Sequence, residues 1–246
     1  MIARHLLFAS TLLANLIFTL PLKAEEYQFA SIRGLYEQQV GQIVLPKIYQ
    51  KLGISITIKP MPGQRAMLET ASGRTDGEIM RIWSYGIEHP DSLRIPTPYY
   101  QLETMAFYKA GSSVDIKSAK DLANYSLLKV RGVKHTNNIT VGLDRVYDYD
   151  DTENMLRALN KVRNNVALTH TSDGLFAIRK YHIKEIEHLD QPLSVLPLYH
   201  YVHKKNAHLI AAVDRVIKEM KHSGELKSLI EAAEKQVYEM HGLSIK

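Results

Sequence analysis

Residues 54–82 read ISITIKPMPGQRAMLETASGRTDGEIMRI. The first and last segments, 54–59 and 77–82, are short and rich in β-branched or apolar residues, which favours strands. Between them, residues 64–72 place apolar side chains at helical spacing. Upstream, residues 27–32 predict another strand and residues 36–52 a helix. This alternation predicts an α/β fold with a largely parallel sheet.

The rest of the chain predicts a second unit of the same kind. We expect strands at 126–130 and 166–169, and helices at 152–161 and from Asp173 onward. Asp150 and Glu153 have the spacing of a capping box at the start of the first of these helices. The chain then ends in two amphipathic stretches separated by Gly224. Within the helix predicted at 36–52, Pro46 should bend the helix or shift its start.

Two connections, one near Gly111 and an extended, proline-punctuated one at 191–201, bracket the middle third of the chain. This arrangement predicts two lobes joined by a double crossover, with the carboxyl-terminal segment completing the first lobe. We place the first lobe at residues 25–110 and 196–246, and the second at residues 111–195.

The amino terminus predicts a cleavable export signal at residues 1–24. Arg4 precedes an uncharged apolar run from Leu6 to Leu22, and the small residue Ala24 follows. Leu22, three residues before the expected cut, is larger than the usual residue there. We therefore expect a periplasmic protein with no stable membrane insertion after cleavage.

Composition excludes several classes of protein. The chain has no cysteine, which argues against a small disulfide scaffold and against a lipid-anchored form. Of its 31 Lys and Arg residues, two lie in the predicted signal, which leaves 29 against 26 Asp and Glu residues. A surplus this small and dispersed does not indicate binding to nucleic acid.

Several short motifs, in order, resemble the family 3 extracellular solute-binding proteins, which supply polar amino acids to ABC importers. Residues 62–77 resemble the family's R-A-L-x-x-x-x-x-G-x-x-D-G signature, and residues 95–99 with 105–108 resemble its F-S-x-P-Y segment and crossing strand. Residues 128–132, 152–159 and 163–167 resemble the short sequence motifs that the family has in its second lobe. The resemblance covers essentially all of the chain after residue 24.

The resemblance implies a two-lobed, type II periplasmic binding protein fold with a double-crossover hinge. It implies capture of a small polar solute between the lobes and presentation of the closed form to a membrane transporter. A membrane sensor is the alternative partner, and a dehydratase-like enzyme on the same fold is a weaker alternative. We expect a monomer that is not an enzyme and uses no cofactor.

Candidate ligand-binding residues follow from the rule that ligands of open α/β sheets lie beyond the carboxyl ends of the strands. Arg81 offers a planar fork suited to a carboxylate, and Trp83 should share its strand face. Tyr36 either stacks on a ligand or belongs to the helix core. The full set is Tyr36, Arg65, Arg81, Trp83, Arg131, His135, Thr136, Thr169 and His170.

Two departures from the family pattern concern the ligand. In amino-acid-binding members an arginine binds the ligand carboxylate where this chain has Glu88 and His89. The family's ammonium-binding aspartate falls near Thr169 and His170, and we expect the nearby Asp173 to cap the following helix. We therefore do not predict an ordinary α-amino acid as the ligand. The working hypothesis is an anionic or polar solute.

Metal and enzyme chemistry have little support in the sequence. Among eleven histidines, His200, His203 and His208 are the closest group, but His200 and His203 should lie on opposite faces of an extended segment. The sequence has no hydrolase elbow around Ser84, no HExxH motif and no phosphate loop. Proton transfer by His135 or His170 is the remaining enzyme hypothesis.

Overall fold

The computed structural model describes residues 26–159, 161 and 164–244. The predicted export signal at residues 1–24 lies outside these residues, as does Arg163 in one of the family-like segments. Within the described part of the chain, no helix is long and apolar enough to cross a bilayer.

The described residues form ten strands and eight α-helices. The strands are β1 Tyr27–Ile32, β2 Ile56–Met61, β3 Gly77–Ile82, β4 Ser92–Arg94, β5 Tyr100–Lys109, β6 Ser126–Val130, β7 Val146–Tyr149, β8 Asn165–His170, β9 Ile186–His188 and β10 Ser194–His203. The helices are α1 Tyr36–Gln50, α2 Gly63–Ala71, α3 Tyr85–Glu88, α4 Lys134–Ile139, α5 Thr152–Leu159, α6 Thr171–Lys180, α7 Ile210–His222 and α8 Glu225–Met240. Two 3₁₀ helices lie at Ala119–Asn124 and Lys204–Leu209.

The strands form one continuous sheet in the order β2-β1-β3-β10-β5-β8-β6-β7. β1 is parallel to β2 and β3 in the first lobe, and β6 is parallel to β7 and β8 in the second. The short strands β4 and β9 pair with β10 and β5 respectively. The prediction of an α/β fold with parallel units in both lobes is confirmed.

Two long antiparallel strands connect the lobes. The first half of β10 pairs with β5 from Ser194 to Leu198, and its second half pairs with β3 from Leu198 to Val202. β5 in turn pairs with β8 between Thr104 and Tyr108. Each of these strands therefore runs from one lobe into the other. The boundaries that we place between the lobes, at residues 110–111 and 195–196, stay predictions.

Each lobe has its own apolar core. In the first lobe α1, α7 and α8 pack over the sheet around Phe29, Val44, Ile48 and Val213, all fully buried. The larger cluster of the second lobe packs α5 and α6 against β5, β6 and β8. The lobes also share apolar contacts, because Phe176 of α6 belongs to the first core, and Ile32 and Leu35 of the first lobe belong to the second.

α1 begins at Tyr36 and contains Pro46, so of the two expected effects of the proline the shifted start is excluded. Two other local predictions need correction. At the start of α5, the backbone N–H of Asn154 donates to Asp151 Oδ1 at 2.7 Å, whereas Asp150 pairs with Arg131. β3 ends at Ile82, so Trp83 lies beyond the strand and is 52% exposed while Arg81 is buried.

Candidate functional site

The two lobes face each other where β1, β3, β6 and β8 end and the next helices begin. Lys134 of α4 pairs with Glu88 of the first lobe, and Asn138 Nδ2 donates to Ser84 Oγ at 3.3 Å. The backbone is also close, because a Cβ added at Gly63 would lie 3.2 Å from the carbonyl oxygen of Gly132. The lobes are closed on each other, and the cavity left between them measures about 30 Å³.

Asp173, in the first turn of α6, is the centre of the contact between the lobes. Its Oδ1 accepts a hydrogen bond from the backbone N–H of Tyr36 at 3.0 Å. Its Oδ2 accepts from the hydroxyls of Thr152 at 2.6 Å and Thr169 at 2.8 Å. Burial nevertheless raises the pKa of this carboxyl. We expected Asp173 to cap its own helix, and this prediction is wrong. Its side chain instead accepts a hydrogen bond from the first turn of α1 in the other lobe.

Glu37, the second residue of α1, is a buried acid of the first lobe. The residue is only 3% exposed, and its Oε2 atom has no hydrogen-bond partner among the described residues. Burial, and then the charge of Asp173, raise the pKa of Glu37 to about 8. Each lobe therefore contributes a buried acid whose pKa is raised, Glu37 from the first lobe and Asp173 from the second.

Arg81 is buried beside these acids, but its charge is already compensated. Its Nε atom donates to Glu78 Oε2 at 2.6 Å, and its guanidinium lies 4.8 Å from the centre of the Tyr85 ring. The Tyr85 hydroxyl donates to the other oxygen of Glu78. Arg81 Nη2 also donates to the carbonyl of Gly63 at 3.3 Å. An incoming anion would have to compete with Glu78 for this guanidinium.

The polar residues predicted in the second lobe are brought together beside β5. His135 Nδ1 is 2.8 Å from Thr104 Oγ1, and burial together with the neighbouring His170 lowers the pKa of His135 to about 3. Thr136 is buried and donates to the carbonyl of Val133 at 3.0 Å. Both histidines are therefore neutral at physiological pH.

The remaining predicted residues lie at the rim or in the core. Arg65 and Arg131 have exposed side chains, at 65% and 53%, and pair with Glu69 and Asp150. The Trp83 ring is covered on one side by Arg94, 5.5 Å from its centre. The Tyr36 ring packs against Phe176 and Tyr238 in the first core. Of the two alternatives for Tyr36, stacking on a ligand or packing in the core, the structure shows the second.

Sequence reasoning missed Glu37 and Glu78. Glu37 lies on the same helical face as Gly41, Val44 and Ile48, all buried. An acid on the apolar face of a helix is the signal that could have identified it. Glu78 gave no such signal, because a single acid in a strand is common.

Two of the three histidines that we considered as metal ligands form other polar contacts. His200 lies between the Tyr49 hydroxyl, at 2.8 Å, and the carbonyl of Glu78, also at 2.8 Å. His208 Nε2 is 3.1 Å from the Tyr27 hydroxyl. Across residues 26–159, 161 and 164–244, no group of three or more His, Asp or Glu residues could hold a metal ion.

Comparison with known families gives one match, to the model of the bacterial extracellular solute-binding proteins, family 3, over residues 43–233. No curated protein matches the chain in sequence. The match covers more than half of the chain and includes both lobes.

Many solved structures share the fold. An ancestral arginine-binding protein bound to arginine is 19% identical, with a TM-score of 0.69 over 84% of this chain and 97% of that one. An amino acid ABC transporter substrate-binding protein from Streptococcus pneumoniae, bound to L-arginine, is 16% identical, with a TM-score of 0.67 over 86% and 95%. A histidine kinase sensor domain with similarity to periplasmic binding proteins is 14% identical, with a TM-score of 0.68 over 83% and 93%.

Proposed function

Because the chain belongs to family 3 of the bacterial extracellular solute-binding proteins, we propose that it captures a small polar solute with a positively charged group between its lobes. The occupied, closed form is then presented to a membrane transporter. The observation that carries the proposal is the pair of buried acids, Glu37 and Asp173, one on each lobe.

The charges of the cleft favour a cation over an anion. Glu37 and Asp173 have no Lys or Arg within 4.0 Å among the described residues, while Arg81 is paired with Glu78. An ammonium or guanidinium group between the two acids would lower the pKa of both, since an opposite charge favours the ionised form. The working hypothesis of an anionic solute is less well supported, because Arg65 and Arg131 also have carboxylate partners.

A cation held by both acids would couple binding to closure. Because Glu37 and Asp173 belong to different lobes, a ligand bound to both would stabilise the closed form selectively. A cavity of about 30 Å³ is far smaller than an amino acid. The lobes therefore have to separate, breaking contacts such as Lys134 with Glu88, before a solute can enter.

The membrane partner is the less constrained part of the proposal. Transporter receptors and a histidine kinase sensor domain share this fold, so delivery to an ABC transporter and signalling to a membrane sensor both fit it. Binding without turnover is favoured over dehydratase-like chemistry, because His135 is buried and its pKa of about 3 makes it a weak base. Export is tested by the mass of the mature amino terminus, expected at Glu25.

Isothermal titration calorimetry tests the ligand class, with L-arginine and agmatine as cations and L-glutamate as the anion. We expect a cation to bind, and Glu37→Gln to weaken it by about 10- to 100-fold, the effect of losing one charge-assisted hydrogen bond. Glu219→Gln, at a carboxylate whose side chain is 68% exposed, is the matched control.

Proton release gives a second readout from the same titrations. With a pKa of about 8, Glu37 is mostly protonated at pH 7 and should lose its proton when a cation binds. The observed heat should therefore depend on the ionisation enthalpy of the buffer more strongly in the wild-type protein than in Glu37→Gln. Tight binding of L-glutamate that requires Arg81 and is insensitive to Glu37→Gln would refute the proposal.

A further inference from the structure

A second cavity, of about 610 Å³, lies outside the cleft, along α8 and the beginnings of β5 and β10. Its size is within the range of small-molecule sites, about 300–1,000 Å³. Its apolar wall is made by Tyr99, Val195, Pro197, Leu226 and Ile230. Residues of both lobes line it, since His170 ends β8 and Ser172 lies in the first turn of α6, and the others belong to the first lobe and the crossing strands.

Two lysines and three acids line this cavity, and one of the acids, Glu231, lies one helical turn from Lys227 on α8. Lys221 and Lys227 lie at one end, where Lys221 Nζ donates to the carbonyl of Pro98 at 3.3 Å. Toward the other end, Glu234 lies seven residues beyond Lys227 on α8, which is about 10 Å along a helix axis. Glu103 lies five residues beyond Pro98, about 16 Å along an extended chain.

The acidic end keeps negative charge available for a ligand. Glu103 and Glu234 have no Lys or Arg within 4.0 Å in the part of the chain that the structure describes, although Glu234 Oε1 accepts from the Tyr100 hydroxyl at 2.6 Å. At the basic end, Lys227 makes a long contact with Glu231, at 3.9 Å. Glu231 therefore partly compensates Lys227, whereas Lys221, Glu103 and Glu234 have no ion-pair partner among the described residues.

His170 adds a buried polar group with unused hydrogen-bonding capacity. The residue is 5% exposed, and its Nε2 atom has no partner among the described residues. Its Nδ1 atom lies 3.2 Å from the carbonyl of Glu103, and burial lowers its pKa. The backbone N–H of Glu103 donates to His170 Nδ1 at 3.1 Å, so the proton of the neutral ring lies on Nε2, which is a donor without a partner among the described residues.

We propose that this cavity is a second binding site, for an elongated zwitterion whose ammonium and carboxylate groups lie about 10 Å apart, as in an extended peptide of three residues. The ammonium group binds Glu103 and Glu234. The carboxylate binds Lys221 and Lys227, and small apolar side chains cover Val195 and Ile230. This site is independent of the cation site in the cleft.

Trialanine is the probe, titrated into the purified protein by calorimetry. Val195 is 53% exposed in the cavity wall, so Val195→Trp should fill the cavity and weaken binding by about tenfold or more. Val141→Trp, at a valine that is 79% exposed and outside the cavity, should change affinity by less than about twofold. N-acetyl-trialanine and trialanine amide, which each lack one terminal charge, should bind about tenfold more weakly than trialanine.

A second pair of variants decides the question if Val195→Trp does not fold. Glu234→Gln should weaken trialanine by about tenfold, whereas Glu239→Gln, also on α8 but outside the cavity, should have no effect. The inference is overturned if trialanine shows no saturable binding to the wild-type protein, or if neither Val195→Trp nor Glu234→Gln weakens it. Binding that is lost in Glu37→Gln and kept in Val195→Trp would place the peptide in the cleft and overturn it as well.

Discussion

The backbone N–H of Tyr36 donates to Asp173 Oδ1 at 3.0 Å, so the first turn of α1 in one lobe is capped by a side chain of the other. Leu35, at the N-cap position of α1, makes no side-chain cap. The free N–H groups of a helix start need acceptors. Closure of the lobes supplies such an acceptor. The free energy of closure and the stability of the first turn of α1 therefore depend on each other.

Replacing Asp173 by Ala should lower the free energy of unfolding by about 1–3 kcal/mol, because it leaves buried donors of Tyr36, Thr152 and Thr169 without their acceptor. Asp173→Asn should cost less, since its carbonyl can still accept from Tyr36. Urea denaturation measures the change, and small-angle scattering should show a larger radius of gyration for Asp173→Ala. Equal stability of the Ala variant and the wild type would show that this contact contributes nothing.

Glu37 should make stability depend on pH in a direction opposite to that of a salt-bridged acid. Between its ordinary pKa of 4.5 and about 8, the folded protein keeps a proton that the unfolded chain has lost. Stability therefore falls as pH rises through this window, by up to about 1.4 kcal/mol per pH unit for one proton. His135 and other groups also titrate, so the difference between wild type and Glu37→Gln isolates this contribution.

The measurement is urea denaturation at pH 5, 6, 7 and 8. The stability of the wild type relative to Glu37→Gln should decline steadily across the series. A difference that stays constant with pH would mean that Glu37 ionises normally in the folded protein.

The sequence predicted the lobes better than the site, and particular residues show why. β1, β3 and β6 have the predicted bounds, because their apolar segments end at clear turn residues such as Gly34 and Gly132. α7 and α8 are separated at Gly224, which has a φ of 79°. Strand bounds and helix breaks of this kind depend on residues that are neighbours in sequence, so they can be predicted from local sequence patterns.

The site depends on partners far apart in sequence. Asp173 meets Tyr36 across 137 residues, and nothing near Asp173 distinguishes this role from a local helix cap. The guanidinium of Arg81 at a strand end predicts binding of a ligand carboxylate. Its partner in the structure is Glu78, three residues away on β3, where strand alternation would place the two side chains on opposite faces. Their direct contact at the end of β3 departs from that pattern.

Arg81→Ala should be strongly destabilising, by about 3–5 kcal/mol, because it leaves the Glu78 carboxylate buried without its counter-charge. Glu78→Gln/Arg81→Ala should recover part of this loss, since the remaining amide carries no charge. A double-mutant cycle measured by chemical denaturation should then give a coupling energy of about 1–3 kcal/mol. Additive effects would indicate that the pair is not a stabilising unit and that Arg81 is free to bind a ligand.

Gly174 allows α6 to pack directly on the second core, close to Asp173. A Cβ at this position would lie 2.2 Å from Cζ of Phe107, a residue that is fully buried in β5. Gly174→Ala should therefore destabilise the protein by about 1–3 kcal/mol through overpacking, although alanine is the better helix former. Ser172→Ala on the same helix is the control, since it adds no atoms.

The double variant Gly174→Ala/Phe107→Leu separates steric conflict from a backbone effect. If the ring of Phe107 is the obstacle, the smaller side chain accommodates the added methyl group, and Gly174→Ala costs less in the Phe107→Leu background than in the wild type. Thermal denaturation of the four proteins supplies the comparison. A cost that is the same in both backgrounds would point to the conformation of α6 itself, and would remove the packing argument for a glycine beside the contact between the lobes.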